Sequence, residues 1–318
     1  MDNLTSDPDR YLELYDQFLN GDINKHAYIR EMHNLHRSLF VYQSLVRKSE
    51  ISSVEINSDR IIATVRDRHI KFYLDEYDSR FIPIEIINFG AFEPLEKNIL
   101  DYMASQSRFI VDIGANIGWY TMRFSKIRSV ERVFAFEAIP RTFSLLSEHI
   151  SLNELENVTL VNKALLDQEK KVIFNWSREE TGSASLINIQ DRVEINQSEV
   201  EATTFDKYFF SKKIPVDFIK CDVEGSELFV MRGASNYLKH YSPFIFCELL
   251  RKWSAKFGYH PNEVIDFLGK YGYQCFAVHN SRLVELTEIT EATDQTNFIF
   301  LHRENHRETL KEFSPIPT

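Results

Sequence analysis

The chain has 318 residues, 26% charged, 43% apolar and 13% aromatic, with ten Gly and nine Pro. That composition excludes a disordered or fibrous protein and leaves room for a sizeable core. Forty-seven acidic against 37 basic side chains leave a net charge of −10, the wrong sign for a surface that neutralises nucleic-acid phosphates or anionic lipid. No apolar run reaches the roughly 18 residues of a membrane span, and Met1-Asp2-Asn3-Leu4 lacks the basic-then-apolar pattern of a secretory signal, so a cytoplasmic protein is expected. Cys221, Cys247 and Cys275 lie in apolar runs without metal-ligand spacing and read as buried thiols.

The periodicity changes along the chain suggest a helical arm (residues 1–50), a short antiparallel β segment (51–90) and one α/β domain (91–318). In the arm, Tyr28, Met32, Leu35, Leu39, Tyr42 and Val46 recur at steps of four and three, one seam of a helix from about Asn24 to Lys48. The seam packs on a helix near Tyr11–Leu19 and the main body, or joins two copies in a homodimer. Residues 53–57, 61–66 and 69–74 then read as short strands, with a turn at Asp67-Arg68.

From Arg108 the apolar runs 109–112, 133–137, 158–161, 216–221 and 244–248 alternate mostly with helix-like segments, the pattern of parallel strands buried on both faces. The expected fold class is therefore α/β, a doubly wound, mostly parallel sheet. Runs 273–278 and 297–302 follow without a convincing helix between them and suggest an antiparallel pair at one edge. Between Gln168 and Phe205 the helical pattern fails; 172–176 and 199–204 look like extra strands around a polar loop.

Asp112-Ile-Gly114-Ala-Asn116-Ile-Gly118 directly follows a strand and opens a helix at about Trp119, so small residues and backbone N–H groups approach a ligand at the carboxyl end of the sheet. Its glycines are four apart, which argues against the G-x-G-x-x-G of NAD sites. The strand-end acid and the amide suit a zwitterionic amino-acid moiety better than a pyrophosphate. Glu137 ends the next strand, near the place where an acid accepts hydrogen bonds from ribose hydroxyls. Ribose plus amino acid without pyrophosphate describes S-adenosylmethionine.

Asp112-Ile-Gly-Ala-Asn-Ile-Gly-Trp-Tyr-Thr121, Phe136-Glu137, Asn162-Lys-Ala-Leu165, Thr203-Thr-Phe-Asp206 and Ile219-Lys-Cys-Asp-Val-Glu-Gly-Ser-Glu227 resemble, in order and spacing, the FkbM-type methyltransferases. The resemblance covers about residues 70–302, with Gly90-Ala-Phe-Glu-Pro94 matching the segment before the first core strand. It does not reach residues 1–50, and Ala138 stands where family members often carry proline. It implies a Rossmann-like class I methyltransferase sheet whose last strand is antiparallel, and O-methylation of sugars or secondary metabolites. By the same resemblance Asp112, Gly114, Ala115, Asn116 and Gly118 would line the methionine and ribose part of the cofactor, and Glu137 its ribose hydroxyls. Asn162, Lys163 and Ala164 would border adenine, and Asp222 would also face the cofactor.

Methyl transfer from a sulfonium is an in-line displacement, so the protein must align an acceptor lone pair and remove a proton. Asp222 and Glu224 on the fourth strand and Glu248 on the fifth end two neighbouring strands, and after the fourth an amino-group methyltransferase would carry Asn/Asp-Pro-Pro-Tyr/Phe; a carboxylate base for a sugar hydroxyl fits these acids. Asp222 or Glu224 is favoured, because two acids two apart on a strand share a face and raise one another's proton affinity. No residue is assigned as a metal ligand, but a magnesium ion held by these carboxylates is the rival device. Acceptor contacts are expected from Glu93, from Trp176, Ser183 and Ser185 in the polar insert, where indole and hydroxyls suit a glycan, and from His279 past the sixth strand. The main alternatives are a polyketide or lipid acceptor, and a non-catalytic cofactor-binding module.

Overall fold

The computed structural model describes residues 8–180, 182, 184–188 and 195–313. The amino-terminal arm comprises α1 (Pro8–Leu19), α2 (Lys25–His36) and α3 (Ser38–Arg47). The single helix expected over 24–48 is thus broken at Arg37. There the Arg37 N–H reaches back only three residues, to Asn34, and the Ser38 hydroxyl donates to the Leu35 carbonyl at 3.3 Å, a local bond that competes with helix continuation. Tyr28 of the predicted seam stacks on Phe18 of α1 at 4.8 Å, whereas Leu39 and Tyr42 stay about half exposed.

Strands β1 (Ile51–Ile56), β2 (Ile61–Val65) and β3 (Lys71–Tyr73) form an antiparallel sheet in that order. Inward residues Ile51, Ala63, Val65 and Phe72 are fully buried in one continuous core with residues of the main sheet. His149 fastens the join. Its Nδ1 lies 2.8 Å from the Ile117 carbonyl and its Nε2 accepts from the Tyr73 N–H at 3.2 Å, so Nδ1 carries the proton. Burial lowers the pKa of this imidazole to about 4.

Two helices, α4 (Ile82–Phe89) and α5 (Lys97–Ser105), lead into the main domain. There β4 (Phe109–Ile113), α6 (Trp119–Ser125), β5 (Arg132–Phe136), α7 (Pro140–Leu152) and β6 (Val158–Val161) alternate as expected. An insert follows, in which β7 (Ala164–Leu165), β8 (Lys170–Trp176) and β9 (Asn196–Thr203) make a separate small sheet. The chain returns through β10 (Phe218–Cys221), α8 (Glu227–Arg232), α9 (Ser235–His240), β11 (Phe244–Glu248), α10 (Arg251–Lys256) and α11 (Asn262–Gly269). It ends with β12 (Tyr273–His279), β13 (Arg282–Glu285), β14 (Asn297–His302) and α12 (Arg307–Phe313).

The eight strands of the main sheet run in the order β13-β12-β14-β11-β10-β4-β5-β6, the α/β class that the sequence predicts. β14 is antiparallel to both neighbours. It therefore lies inside the sheet, and the edge belongs to β13, which sequence periodicity does not reveal.

The strand order reverses at β4, where the next strand in sequence pairs on one side and β10 on the other, and such a switch point leaves a crevice at the carboxyl ends. Register does the rest. Ile113 pairs with both Phe136 and Cys221, and Cys221 with Cys247. The next residues of these strands, Gly114, Glu137, Asp222 and Glu248, therefore come level along one edge.

Candidate active site

Gly114 and Gly118 both need the left-handed backbone (φ +73° and +96°), and a Cβ on Gly114 would lie 1.8 Å from the Asp222 carbonyl oxygen. The glycine loop and the turn after β10 therefore touch backbone to backbone, which only glycine permits. Most of the loop's N–H groups are taken up by the protein itself, chiefly at the end of β5. Those of Gly114 and Ala115 donate to the Phe136 carbonyl, that of Gly118 to Ala115, and that of Asn116 to Glu137 Oε2 at 2.9 Å. The expectation that these N–H groups reach a ligand is corrected accordingly: the loop offers shape, together with the enclosed Oδ1 of Asn116, which has no partner among the described residues.

Glu137 is buried; its two carboxylate oxygens accept from the Asn116 and Ile139 N–H groups, each at 2.9 Å, and burial raises its pKa to about 7. Asp112 is wholly buried and lines neither cavity described below. It accepts from the Thr121 hydroxyl at 2.5 Å and lies 3.4 Å from Lys220 Nζ, because Asp112 and Lys220 are cross-strand partners. Its expected ligand contact is thus replaced by an internal ion pair. Gly118 faces the Leu146 and Met122 side chains, and the Asn162 amide donates to the carbonyls of Glu137 and Ala138. Both shape the site from behind.

Two cavities meet at this edge. A narrow slot of about 70 Å³ is lined by Gly114, Asn116, Glu137, Lys163 and Ala164 among others; a larger one of about 360 Å³ includes Ala115, Glu93, Trp119, Tyr120, Lys220, Glu248 and Trp253. Gly114, Asn116, Gly182, Asp222 and Glu224 line both.

Asp222 and Glu224 lie just past β10 rather than on it, and Glu224 has φ +52°, so the strand-alternation argument for their shared face does not apply. A turn brings them together instead. Buried Glu227 builds it: Oε1 accepts from the Val223 and Gly225 N–H groups, both at 3.1 Å. The Ser185 hydroxyl adds a bond to the Glu224 carbonyl at 2.9 Å. One carboxylate oxygen from each of Asp222, Glu224 and Glu248 then lies within 4.8 Å of the others. Burial first, and the neighbouring carboxylates second, hold the Glu224 and Glu248 pKa values well above the usual range.

Glu93, also in left-handed backbone (φ +43°), accepts from the Tyr120 hydroxyl, and burial raises its pKa to about 7. Lys220, 3% exposed, donates to the Gly114 carbonyl at 2.9 Å. Burial opposes its charge, but Asp222, Asp112 and Glu93 outweigh that and raise its pKa.

Trp176 donates from Nε1 to Ser198 at 2.9 Å, and His279 is exposed at the end of β12; neither lines either of these two cavities. Ser185 is buried against the Glu224 turn rather than open to an acceptor, and Ser183 lies outside the described residues. Lys220 and Tyr120 were not expected here. A lysine inside the apolar run Phe218-Ile-Lys-Cys221 was the available signal, since lysine is seldom buried unless paired.

A family model described as the methyltransferase FkbM domain matches residues 112–275, just over half of the chain. The chain belongs to the FkbM methyltransferase family. Among curated relatives, Methyltransferase 1 of Beauveria bassiana is 27% identical over 143 residues, 39% of this chain and 57% of that protein. A tRNA(Phe) (4-demethylwyosine(37)-C(7)) aminocarboxypropyltransferase of Methanocaldococcus jannaschii is 23% identical over 125 residues, 36% of this chain and 50% of that protein. The chain thus spans about half the length of the curated relatives it matches. Among solved structures, methyltransferase FkbM from Methylobacillus flagellatus is similar over 85% of this chain and 60% of that one, at 14% identity and a TM-score of 0.38. This FkbM-family chain therefore pairs a methyltransferase signature with an acid-rich crevice at the carboxyl edge of its sheet.

Proposed function

We propose that this FkbM-family methyltransferase uses S-adenosylmethionine to methylate a hydroxyl of a saccharide or similar polyhydroxylated molecule. The observation that carries the reading is the pair of joined cavities, whose common wall of Gly114, Asn116, Gly182, Asp222 and Glu224 lets a donor that reaches into the slot meet an acceptor in the larger space. The slot fits the cofactor's chemistry: a loop too tight for a Cβ, the enclosed Asn116 Oδ1 and the Glu137 carboxylate suit amino-acid and ribose groups. When bound, the cofactor would supply an electrophilic methyl group on sulfur. Glu137 would accept hydrogen bonds from the ribose hydroxyls, and Lys163 and Ala164 would flank the adenine. A carboxylate of Asp222, Glu224 or Glu248 takes the acceptor's proton, worth about a hundred to ten thousand fold in rate.

Titration calorimetry with S-adenosylmethionine tests the first half; no heat at about 1 mM cofactor rejects it. Intact-mass screening of free and nucleotide-linked oligosaccharides for a gain of one CH2 tests the second, and a gain only on polyketide or lipid alcohols redirects the substrate class.

The three carboxylate oxygens within 4.8 Å favour one second reading, a magnesium ion that activates the hydroxyl. Calorimetry with magnesium chloride checks it. The tRNA chemistry of the Methanocaldococcus relative does not suit this chain, because net charge −10 and the acidic crevice repel phosphate. Leu39, Phe40, Val41 and Tyr42 on α3 are all more than half exposed and offer a contact for a second copy, which light scattering on the purified protein checks. Three free, buried cysteines fit a reducing, cytoplasmic setting; among the described residues no helix is long and apolar enough to cross a membrane.

A further inference from the structure

The larger cavity holds more acid than its own bases balance. Six carboxylates and three cationic side chains line it among the described residues. Of those cations, Arg80 pairs with Glu85 at 2.9 Å, Lys220 lies between Asp112 and Asp222 at 3.4 Å from each, and Lys252 sits over the Trp253 ring at 4.0 Å. Glu93, Glu224 and Glu248 have no ion-pair partner among the described residues. Glu224 adds an independent sign of a missing ligand, because its Oε2 is enclosed by protein and has no hydrogen-bond partner among the described residues. Leaving a buried carboxyl oxygen unmatched is costly unless a ligand completes it.

The geometry suits an ammonium group. Its N–H donors reach carboxylate oxygens at about 2.8 Å, and a tetrahedral nitrogen then spreads those oxygens about 4.6 Å apart. The oxygens of Asp222, Glu224 and Glu248 lie within 4.8 Å of one another. The same cavity has Trp119, Tyr120 and Trp253 in its wall, and aromatic faces attract organic cations, whereas magnesium keeps its waters and prefers an all-oxygen shell.

We propose that the acceptor carries a protonated amino group, as an amino sugar does, and that Asp222, Glu224 and Glu248 grip this ammonium while a neighbouring hydroxyl faces the slot. The inference rests on the reading of the larger cavity as the acceptor site. An ammonium so held has no free lone pair, so it anchors the molecule and leaves the hydroxyl as the group to be methylated.

Saturation-transfer NMR titration of the full chain, in amine-free buffer with S-adenosylhomocysteine, tests this with glucosamine and its β-1,4-linked tetramer against glucose and N-acetylglucosamine. The amines should bind about tenfold more tightly than the neutral sugars, a gap set by one charge-assisted contact. Glu248→Gln, whose side chain lines only the larger cavity, should shrink the gap to threefold or less, with calorimetry of S-adenosylhomocysteine confirming an intact fold. Equal or absent binding of the amines by the unaltered protein overturns the proposal, whatever the variant does. Displacement of glucosamine by magnesium chloride at tenfold lower concentration also overturns it and makes the carboxylates a metal site. Amine preference without any S-adenosylhomocysteine binding removes the methyl-transfer reading and leaves the cation site standing.

Discussion

Replacing Gly114 by alanine tests the contact on which both cavities depend. At φ +73° an alanine costs about 1–2 kcal/mol in backbone strain. Its Cβ would meet the Asp222 carbonyl oxygen at 1.8 Å and that carbonyl carbon at 3.0 Å, so two backbone segments must separate rather than a side chain rotate. Such overpacking typically costs a further 1–3 kcal/mol or so. Over 318 residues the total of roughly 2–5 kcal/mol corresponds to a fall in Tm of about 3–8 °C. The shift would also carry Asp222 away from the wall that the cavities share, so S-adenosylhomocysteine affinity should drop at least tenfold. Gly118→Ala is the control. It has the same kind of strain at φ +96°, but its Cβ meets Leu146 Cδ1 at 2.6 Å and two Met122 side-chain atoms, which can rotate away. Calorimetric Tm and S-adenosylhomocysteine titration on both variants decide the matter. If Gly114→Ala binds as tightly as Gly118→Ala, the backbone contact does not organise the site.

Lys220→Met should destabilise the protein by about 3–5 kcal/mol, because it leaves Asp112 buried without its cation; urea unfolding that shows less than about 1 kcal/mol contradicts the pairing. His149, held at about 4 against an ordinary 6.5, binds fewer protons folded than unfolded. Its contribution therefore falls as pH drops from 6.5 to 4, by up to about 3 kcal/mol, and the difference between wild type and His149→Gln across that range should show it. Glu93, Glu137 and Glu227, raised to about 7, act in the opposite sense: their stabilising protons are lost as pH rises from 4.5 through 7, so the variant difference, not the raw curve, is the measure. Ribose hydroxyls bind the ionised form of Glu137, so S-adenosylhomocysteine affinity should rise between pH 6 and 8 and flatten in Glu137→Gln; an unchanged slope would count against Glu137 as the ribose ligand.

Much of the sheet was legible because double burial writes itself as continuous apolar runs: 244–248 and 297–302 match β11 and β14 residue for residue. β13 escaped notice because only Leu283 of its four residues is buried, too few for a period to register. The glycine loop was legible as a tight turn, but not the internal use of its N–H groups, since that depends on where the Phe136 carbonyl falls across the sheet. The acids were correctly gathered in one region on a mistaken ground. Strand alternation predicted a shared face, whereas a turn bonded by Glu227 and Ser185, distant from each other in sequence, brings Glu224 to Asp222. Glu93 reaches the same cavity through a left-handed residue, a conformation that no propensity argument assigns to glutamate.

The interior position of β14 bears on how the protein can be made. Residues 245–248 bond to it on one side and 273–277 on the other, so the nascent polypeptide cannot close its main sheet until residue 302 has left the ribosome. Until then β11 and β12 expose apolar flanks and unsatisfied backbone groups, the condition under which sticky intermediates form. Stop codons or frameshifts after Glu248 and before Asn297 should yield insoluble products that chaperones hold and proteases clear, even though every residue of the glycine loop and of the carboxylate cluster has already been synthesised.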